Sequence, residues 1–480
     1  MTMQHIDAKN LIGGREMDTN ERYPVHAPVS PEKTIGSIPR SQSGDIDLAV
    51  NAAEAAFSEW KRMGPMARGQ MLFQAAEVLS HHVDDLAQVA SWEMGKPIGE
   101  ARGEALRAVA ILQYFGGEGA RAVGDVIPAS NPRALQYTTR EPLGVVGIIT
   151  PWNFPLAIPM WKIAPALVYG NTVVCKPAEL SSLTAYRMLA LLTSLLPPGV
   201  LNVVAGLGRE VGEALVQHPR IQGISFTGSV AVGKGIAGIA AARGMKYQLE
   251  MGGKNPVIIA DDADVDLAVE WTMSGAMRSA GQKCTATSRA IVLPGIRRAF
   301  TEALARRVRE LAVGDPLDPN TYVGPLVSES QRQKVRTFID EAKGNGYRLL
   351  VGETHNSAPG FFVSPTVFDE VAPDAAIAQE EIFGPVVAVI PAATIDEAIH
   401  IANGVRYGLS ASVFTQSLST AMHVVESLEV GMVRVNQETA GVEYQAPFGG
   451  VKASSSHSRE QGSAAVDFYT ETKTVAIQGL

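Results

Sequence analysis

The chain has 480 residues, 41 Lys and Arg against 49 Asp and Glu, and a formal net charge of −8. That length suits two or three domains, the 46% hydrophobic and 19% charged residues exclude a disordered polymer, and the mildly negative balance argues against a nucleic-acid partner. Cysteine occurs twice, at Cys175 and Cys284, which excludes a disulfide framework and a multi-cysteine zinc site.

The first residues, MTMQHIDAKNLIGG, lack the basic segment and apolar run of a signal peptide. No stretch approaches the ~20 apolar residues of a membrane helix. These features predict a soluble cytoplasmic chain without membrane partners. Up to residue 45, Gly and Pro divide the sequence into short strands and turns. From Asp45, placed to cap it, IDLAVNAAEAAFSEW has helical apolar spacing, and helical segments continue to about residue 124. Residues 133–140 alternate as a strand does, and 144–150 form an apolar run. Strands and helices then alternate: GNTVVCKPA, a helix over 181–196, VLNVVAG, the helix GREVGEALVQHP, IQGISFTGS, the helix GKGIAGIAAARG and the strand NPVIIA. This rhythm predicts a mostly parallel, doubly wound sheet. It repeats over about 261–435, with strands near 289–293, 385–390 and 431–435, giving a second α/β domain. The stretch EYQAPFGGVKASSSHSREQG reads as loop, and DFYTETKTVAIQ as a closing strand.

Cys284 lies in SAGQKCTATSR, between a predicted helix and a predicted strand. A thiolate is a strong nucleophile, and helix N-termini and cations such as the adjacent Lys283 lower its pKa. The plain alternative is a small buried hydrophobe, which is the reading for Cys175 in its apolar run. Glu250, at the end of an apolar stretch and before two glycines, suits a general base if desolvated, or a surface or capping carboxylate. Asn153, in TPWNFP, is an amide between two stiffening prolines, as an oxyanion hole or a simple turn would use. GLGREVG misses the dinucleotide fingerprint by one residue. FTGSVAVGKG links a strand to a helix whose N-terminus can hold a pyrophosphate. Lys176 and Glu179 end a strand where ribose is recognised in such sheets.

Taken together, ITPWNFPL, WKIAPAL, GNTVVCKPAE, FTGSVAVG, LEMGGKNP, GQKCT, EEIFGPV and PFGGVK resemble, in order and across nearly the whole chain, the aldehyde dehydrogenase superfamily. The resemblance implies NAD(P)-dependent oxidation of an aldehyde to a carboxylic acid through a thiohemiacetal and a thioester on Cys284. Asn153 with the Cys284 N–H would hold the oxyanion, Glu250 would activate water, and Lys162 matches a lysine linked to proton movement. Ile149 and Trp152 would line the cofactor site, with Lys176 and Glu179 on the adenosine ribose. Gly228, Ser229 and Gly233 would border the pyrophosphate, and Glu381 and Phe383 the nicotinamide ribose and ring. Glu179 favours NAD, with NADP possible, and no metal is implied.

The fold implied is two doubly wound, Rossmann-like α/β domains plus a small β oligomerisation flap. The cofactor domain would span 1–120 and 141–252, the catalytic domain 253–452, and the flap 121–140 with 465–480, building a homodimer or homotetramer. For substrate, Arg278 matches an arginine that binds the carboxylate in succinate-semialdehyde dehydrogenases, while Trp161 replaces that branch's second arginine. GQKCTATSR and QAPFGGVKASSSHSREQG look like bacterial 2-oxoglutarate semialdehyde dehydrogenases. The alternatives are an aromatic or broad-specificity aldehyde dehydrogenase, with Trp161 and Tyr444 lining an apolar tunnel and Arg278 in an interdomain salt bridge; a CoA-acylating enzyme, which does not need Glu250; and a structural or binding protein on this fold.

Overall fold

In the computed structural model, residues 5–121, 124–352 and 359–478 are described. The expected domain segments therefore include residues 1–4, 122–123, 353–358 and 479–480, which lie outside the described residues.

Apolar, β-branched runs separated by helices assemble two seven-stranded sheets. The first has the order Lys246–Glu250, Gly223–Thr227, Val145–Ile149, Thr172–Lys176, Leu201–Val203, Asn10–Ile12 and Arg15–Met17. Its first five strands run parallel, and an antiparallel hairpin closes the edge. Cys175, inside it, is fully buried, and burial pushes its thiol up to about 12. It packs as a small apolar residue.

The second sheet runs Arg348–Val351, Thr366–Asp369, Val386–Pro391, Thr287–Val292, Asn255–Ile259, Ser410–Phe414 and Met432–Val435, parallel except at the first strand. The strand–helix rhythm alone attaches NPVIIA to the first sheet. The structure seats Asn255–Ile259 in the middle of the second, because the chain leaves the first sheet at Gly252 and Gly253. A third, three-stranded sheet pairs Thr470–Gln478 along the whole of Ala134–Pro142, which pairs in turn with Val126–Ile127.

Three local expectations shift. The helix expected from Asp45 begins at Ser43, after Gln42; Asp45 is its third residue, and its carboxylate accepts the Gln42 N–H at 2.8 Å. The helix expected over GREVGEALVQHP is a wide turn over 208–212 followed by the short helix Glu213–Gln217. DFY belongs to the helix Ala465–Tyr469, because Phe468 and Tyr469 are both buried in the core of the first sheet.

The register of the first sheet sets the site. Ile149 lies opposite Lys176 and Phe226, and Thr227 opposite Glu250, so four strand ends converge on one edge. Cys284 precedes the strand Thr287–Val292 of the second sheet. The functional residues therefore meet between the two sheets.

Candidate active site

The helix Val265–Met277 ends before Cys284 in a left-handed turn: Ser279 (φ 55°), Ala280 (φ 51°) and Gly281 (φ 68°). Such a conformation costs on the order of 1–3 kcal/mol per non-glycine residue and persists only where the surroundings impose it. Here Glu100 accepts the Ser279 N–H at 3.0 Å and its hydroxyl at 2.7 Å. Gln282 accepts the Val327 N–H at 3.0 Å. A Cβ on Gly281 would run into the Gly384 carbonyl, so this position needs glycine. The turn delivers Cys284 half-buried, with the Asn255 amide donating to its carbonyl at 2.8 Å.

Burial pushes the Cys284 thiol up to about 12, and Glu381 and Glu250 push the same way against the backbone N–H groups of Thr285 and Cys284. Lys283, whose sequence position suggests an activating cation, is itself buried with a lowered pKa. Burial leads in raising the thiol's pKa, and the charges nearest the sulfur, Glu381 and Glu250, add to it rather than activating it.

Asn153 is buried; its Nδ2 donates to the Gln282 carbonyl at 2.9 Å, and its Oδ1 has no partner among the described residues. The loop around it is braced by two residues that the sequence does not flag. Lys96 donates to the Asn153 carbonyl at 2.8 Å, lies 3.9 Å over the Phe154 ring and pairs with Glu104, both charges being buried. Glu104 accepts the N–H groups of Leu156 (2.7 Å) and Ala157 (3.0 Å), at the start of the helix Ala157–Val168.

Glu250 ends the strand Lys246–Glu250. Burial, then the nearby Glu460, holds its pKa well above the ordinary carboxylate value. Ser455 donates to its Oε2 at 2.5 Å, and its Oε1 has no partner among the described residues. Lys162, fully buried on the helix Ala157–Val168, pairs with Glu460 and donates to the Ser225 hydroxyl at 2.9 Å. Ser455 and Glu460 come from the loop-like tail. A serine run there carries no local mark of this role.

Trp152, Asn153, Gly228, Ser229, Cys284, Glu381 and Phe383 line one cleft of about 670 Å³. Ser229 accepts the Val232 N–H at 3.4 Å and caps the helix Val230–Arg243, whose remaining free N–H groups suit a pyrophosphate. A Cβ at Gly228 would stand 2.5 Å from the Phe226 ring, and one at Gly233, in the first turn of that helix, 2.5 Å from the Met251 sulfur, so both glycines let neighbouring side chains close onto the backbone. Thr227, also on the cleft, keeps a buried hydroxyl without a partner among the described residues. Glu381 accepts the Gly253 N–H at 3.0 Å, and burial raises its pKa. The rings of Trp152 and Phe383 meet edge-on at 5.4 Å. These residues fit a dinucleotide.

Ile149, Lys176 and Glu179 stand outside that cleft wall, at the strand ends beside it. Lys176 donates to Glu179 at 3.1 Å, leaving the glutamate partly exposed. Gln331 and Lys334, on the helix Glu329–Gly344, line the cleft and are not flagged by the sequence; Gln331 donates to the Phe383 carbonyl at 2.8 Å.

Trp161, Tyr444 and Arg278 do not line this cleft. Trp161 packs 5.4 Å from Phe448, its indole N–H without a partner among the described residues, and Tyr444 lies 6.0 Å from Tyr114. Arg278 is exposed, with its guanidinium 5.5 Å over the Tyr322 ring. Among the described residues, Glu100 and Glu438 are its charged neighbours, and neither forms an ion pair with it.

Comparison with known proteins agrees with this geometry. The model of the aldehyde dehydrogenase family matches residues 15–475. An alpha-ketoglutaric semialdehyde dehydrogenase of Bacillus subtilis is 47% identical over 98% of each chain, and an alpha-ketoglutarate semialdehyde dehydrogenase of Haloferax volcanii is 42% identical over 98% of each. The crystal structure of an NAD-dependent aldehyde dehydrogenase from Sinorhizobium meliloti superposes with a TM-score of 0.96 at 36% identity, over 98% of this chain and 95% of that one. The chain belongs to the aldehyde dehydrogenase family, and it is an oxidoreductase.

Proposed function

We propose that this enzyme oxidises an acid semialdehyde to the dicarboxylic acid, with 2-oxoglutarate semialdehyde as first choice, and uses NAD while tolerating NADP. The observation that carries the proposal is the meeting of Cys284 and Asn153 with the Gly228–Ser229 cradle in one cleft. Similarity to the Bacillus subtilis and Haloferax volcanii enzymes, together with the Arg278 guanidinium, which has no ion-pair partner among the described residues, supports the substrate class.

In this reading the Cys284 sulfur, once deprotonated, adds to the aldehyde carbon and forms a thiohemiacetal. The Asn153 amide and the Cys284 N–H donate to its oxygen. A dinucleotide held by Gly228, Ser229, Glu381 and Phe383 would supply the acceptor for the hydride that leaves this carbon. The remaining thioester is opened by a water that gives its proton to Glu250; the C–S bond breaks, and the acid departs. Burial and the nearby Glu460 raise the Glu250 pKa above that of an ordinary carboxylate, which makes it a stronger base. The proton would then pass from Glu250 to the Glu460 carboxylate, which Lys162 holds. A base in this position makes water, not CoA, the acceptor, and the intact set of Cys284, Asn153 and Glu250 argues against a purely structural role.

Residues 1–120 and 141–252 would bind the cofactor, and 253–452 carry the nucleophile. Residues 121–140 and 465–480 would join copies into a homodimer or homotetramer. The third sheet's exposed Val126, Leu135 and Ile477 support such a covering contact. No helix among the described residues is long and apolar enough to cross a membrane. Two thiols without a disulfide fit the reducing cytoplasm.

The test is kcat/KM with NAD and NADP for 2-oxoglutarate semialdehyde, succinic semialdehyde, benzaldehyde and propanal. The acid semialdehydes are expected to lead by more than about tenfold, ~1.4 kcal/mol, and Arg278→Ala to erase the lead. An equal rate with benzaldehyde or propanal would replace this substrate with a broad range of aldehydes. Asn153→Ala is expected to lower kcat by about 10²–10³-fold with KM little changed, as loss of an oxyanion donor does.

A further inference from the structure

We propose that Ser455 is a positioning residue for Glu250: its hydroxyl parks the carboxylate through a hydrogen bond that favours the charged form, aimed to activate water. This rests on the reading of Glu250 as the general base.

Ser455 is held from several sides. Residues 454–456 run beside the end of the strand Lys246–Glu250: the Met251 N–H donates to the Ser454 carbonyl at 2.7 Å, and the Ser456 N–H to the Leu249 carbonyl at 2.9 Å. The Leu249 N–H in turn donates to the Ser456 hydroxyl at 2.8 Å. Between these clamps, the Gly450 N–H donates to the Ser455 hydroxyl at 2.6 Å. That contact fixes the oxygen and leaves its one proton for Glu250, which receives it at 2.5 Å. Among the described residues no other donor reaches this carboxylate, whose second oxygen is unpartnered and lies against Gly449.

The charged and titratable groups facing Glu250 are Glu460, Lys162 and Arg459, with Cys284 across the site. Burial and Glu460 favour the protonated carboxyl; Ser455 leads the opposing influences, ahead of Lys162 and Arg459. A hydrogen bond given to a carboxylate stabilises its charged form. Removing it leaves Glu250 without that donor and more readily protonated.

The experiment is the pH dependence of kcat in the full-length enzyme, alongside the first-turnover burst of reduced cofactor. Ser455→Ala is expected to move the acid limb of kcat upward by about one pH unit, a tenfold loss of rate below the limb. The burst rate and the KM for NAD should stay where they were, since acylation does not use Glu250. Ser455→Thr, which retains the hydroxyl, should restore the limb. Ser455→Cys, similar in shape but a weak donor, should behave like Ser455→Ala and replaces it if the alanine variant does not fold. An unmoved limb in the alanine or cysteine variant overturns the proposal, as does a threonine variant shifted like the alanine one. Glu250→Gln separates the two readings: it should give the burst without further turnover, and full turnover in that variant would remove Glu250 as the base.

Discussion

Cys284→Ala is expected to abolish aldehyde oxidation, lowering kcat by about 10⁴-fold or more, because among the described residues the cleft lining holds no other thiol on which the covalent intermediate can form. Folding and cofactor binding should survive. Asn255 holds position 284 through its backbone carbonyl, and the left-handed turn before it is fixed by Glu100 and Gln282 rather than by the thiol. The glycine cradle belongs to the first sheet and does not involve the sulfur. Equilibrium NAD binding by fluorescence, measured beside steady-state rates, checks both halves. The same thiol yields a pH expectation. Burial and carboxylates raise its pKa to about 12, so alkylation by iodoacetamide in the cofactor-free enzyme should be slow at neutral pH and accelerate as pH rises toward that value. A thiol that alkylates rapidly at pH 7 would contradict the buried, carboxylate-flanked setting described for it.

The second large effect concerns stability. Lys96→Met leaves Glu104 as a buried charge without its cation, which typically costs about 3–5 kcal/mol. It also removes the donor that holds the Asn153 carbonyl, so kcat should fall together with the unfolding midpoint. The double variant Lys96→Met with Glu104→Gln separates these consequences. The amide oxygen introduced by Glu104→Gln can still accept from the start of the helix Ala157–Val168, and no charge is stranded, so most of the stability should return while kcat stays low. Thermal unfolding and steady-state kinetics on the native enzyme and these two variants decide it. Recovery of kcat in the double variant would show that Lys96 does not position Asn153.

The residues legible in the sequence are those whose neighbours in the chain shape them. Asn153 sits between prolines, Glu250 precedes a glycine pair, and Ser229 opens a glycine-rich helix; each carries its geometry in a short stretch. The alternation of apolar strands with helices likewise exposes both sheets. What the sequence hides depends on contacts between distant segments. Lys96 and Glu104 look like surface charges on a helical stretch until the loop holding Asn153 folds over them. Glu460 and Ser455 sit in a tail with no periodicity, and only tertiary docking against Lys162 and Glu250 gives them a task. Rhythm alone attaches the strand Asn255–Ile259 to the first sheet for a related reason: it counts strands but does not say where the chain crosses over, whereas the family resemblance begins the second domain at 253. Arg278 is legible as a residue type, yet its partner Tyr322 is far along the chain.

Glu460 and Ser455, together with the buried Phe468 and Tyr469, have a consequence for how this enzyme comes into being. The sheet begun at residue 10 completes its core only with side chains near residue 469, and the Glu250 carboxylate gains its serine only at residue 455. A nascent polypeptide on the ribosome therefore carries Cys284 for some time before the residues that complete the first sheet's core and the contacts of Glu250 have been made. A chain cut before residue 455 would lack core side chains of the first sheet together with the serine beside Glu250 and the glutamate paired with Lys162.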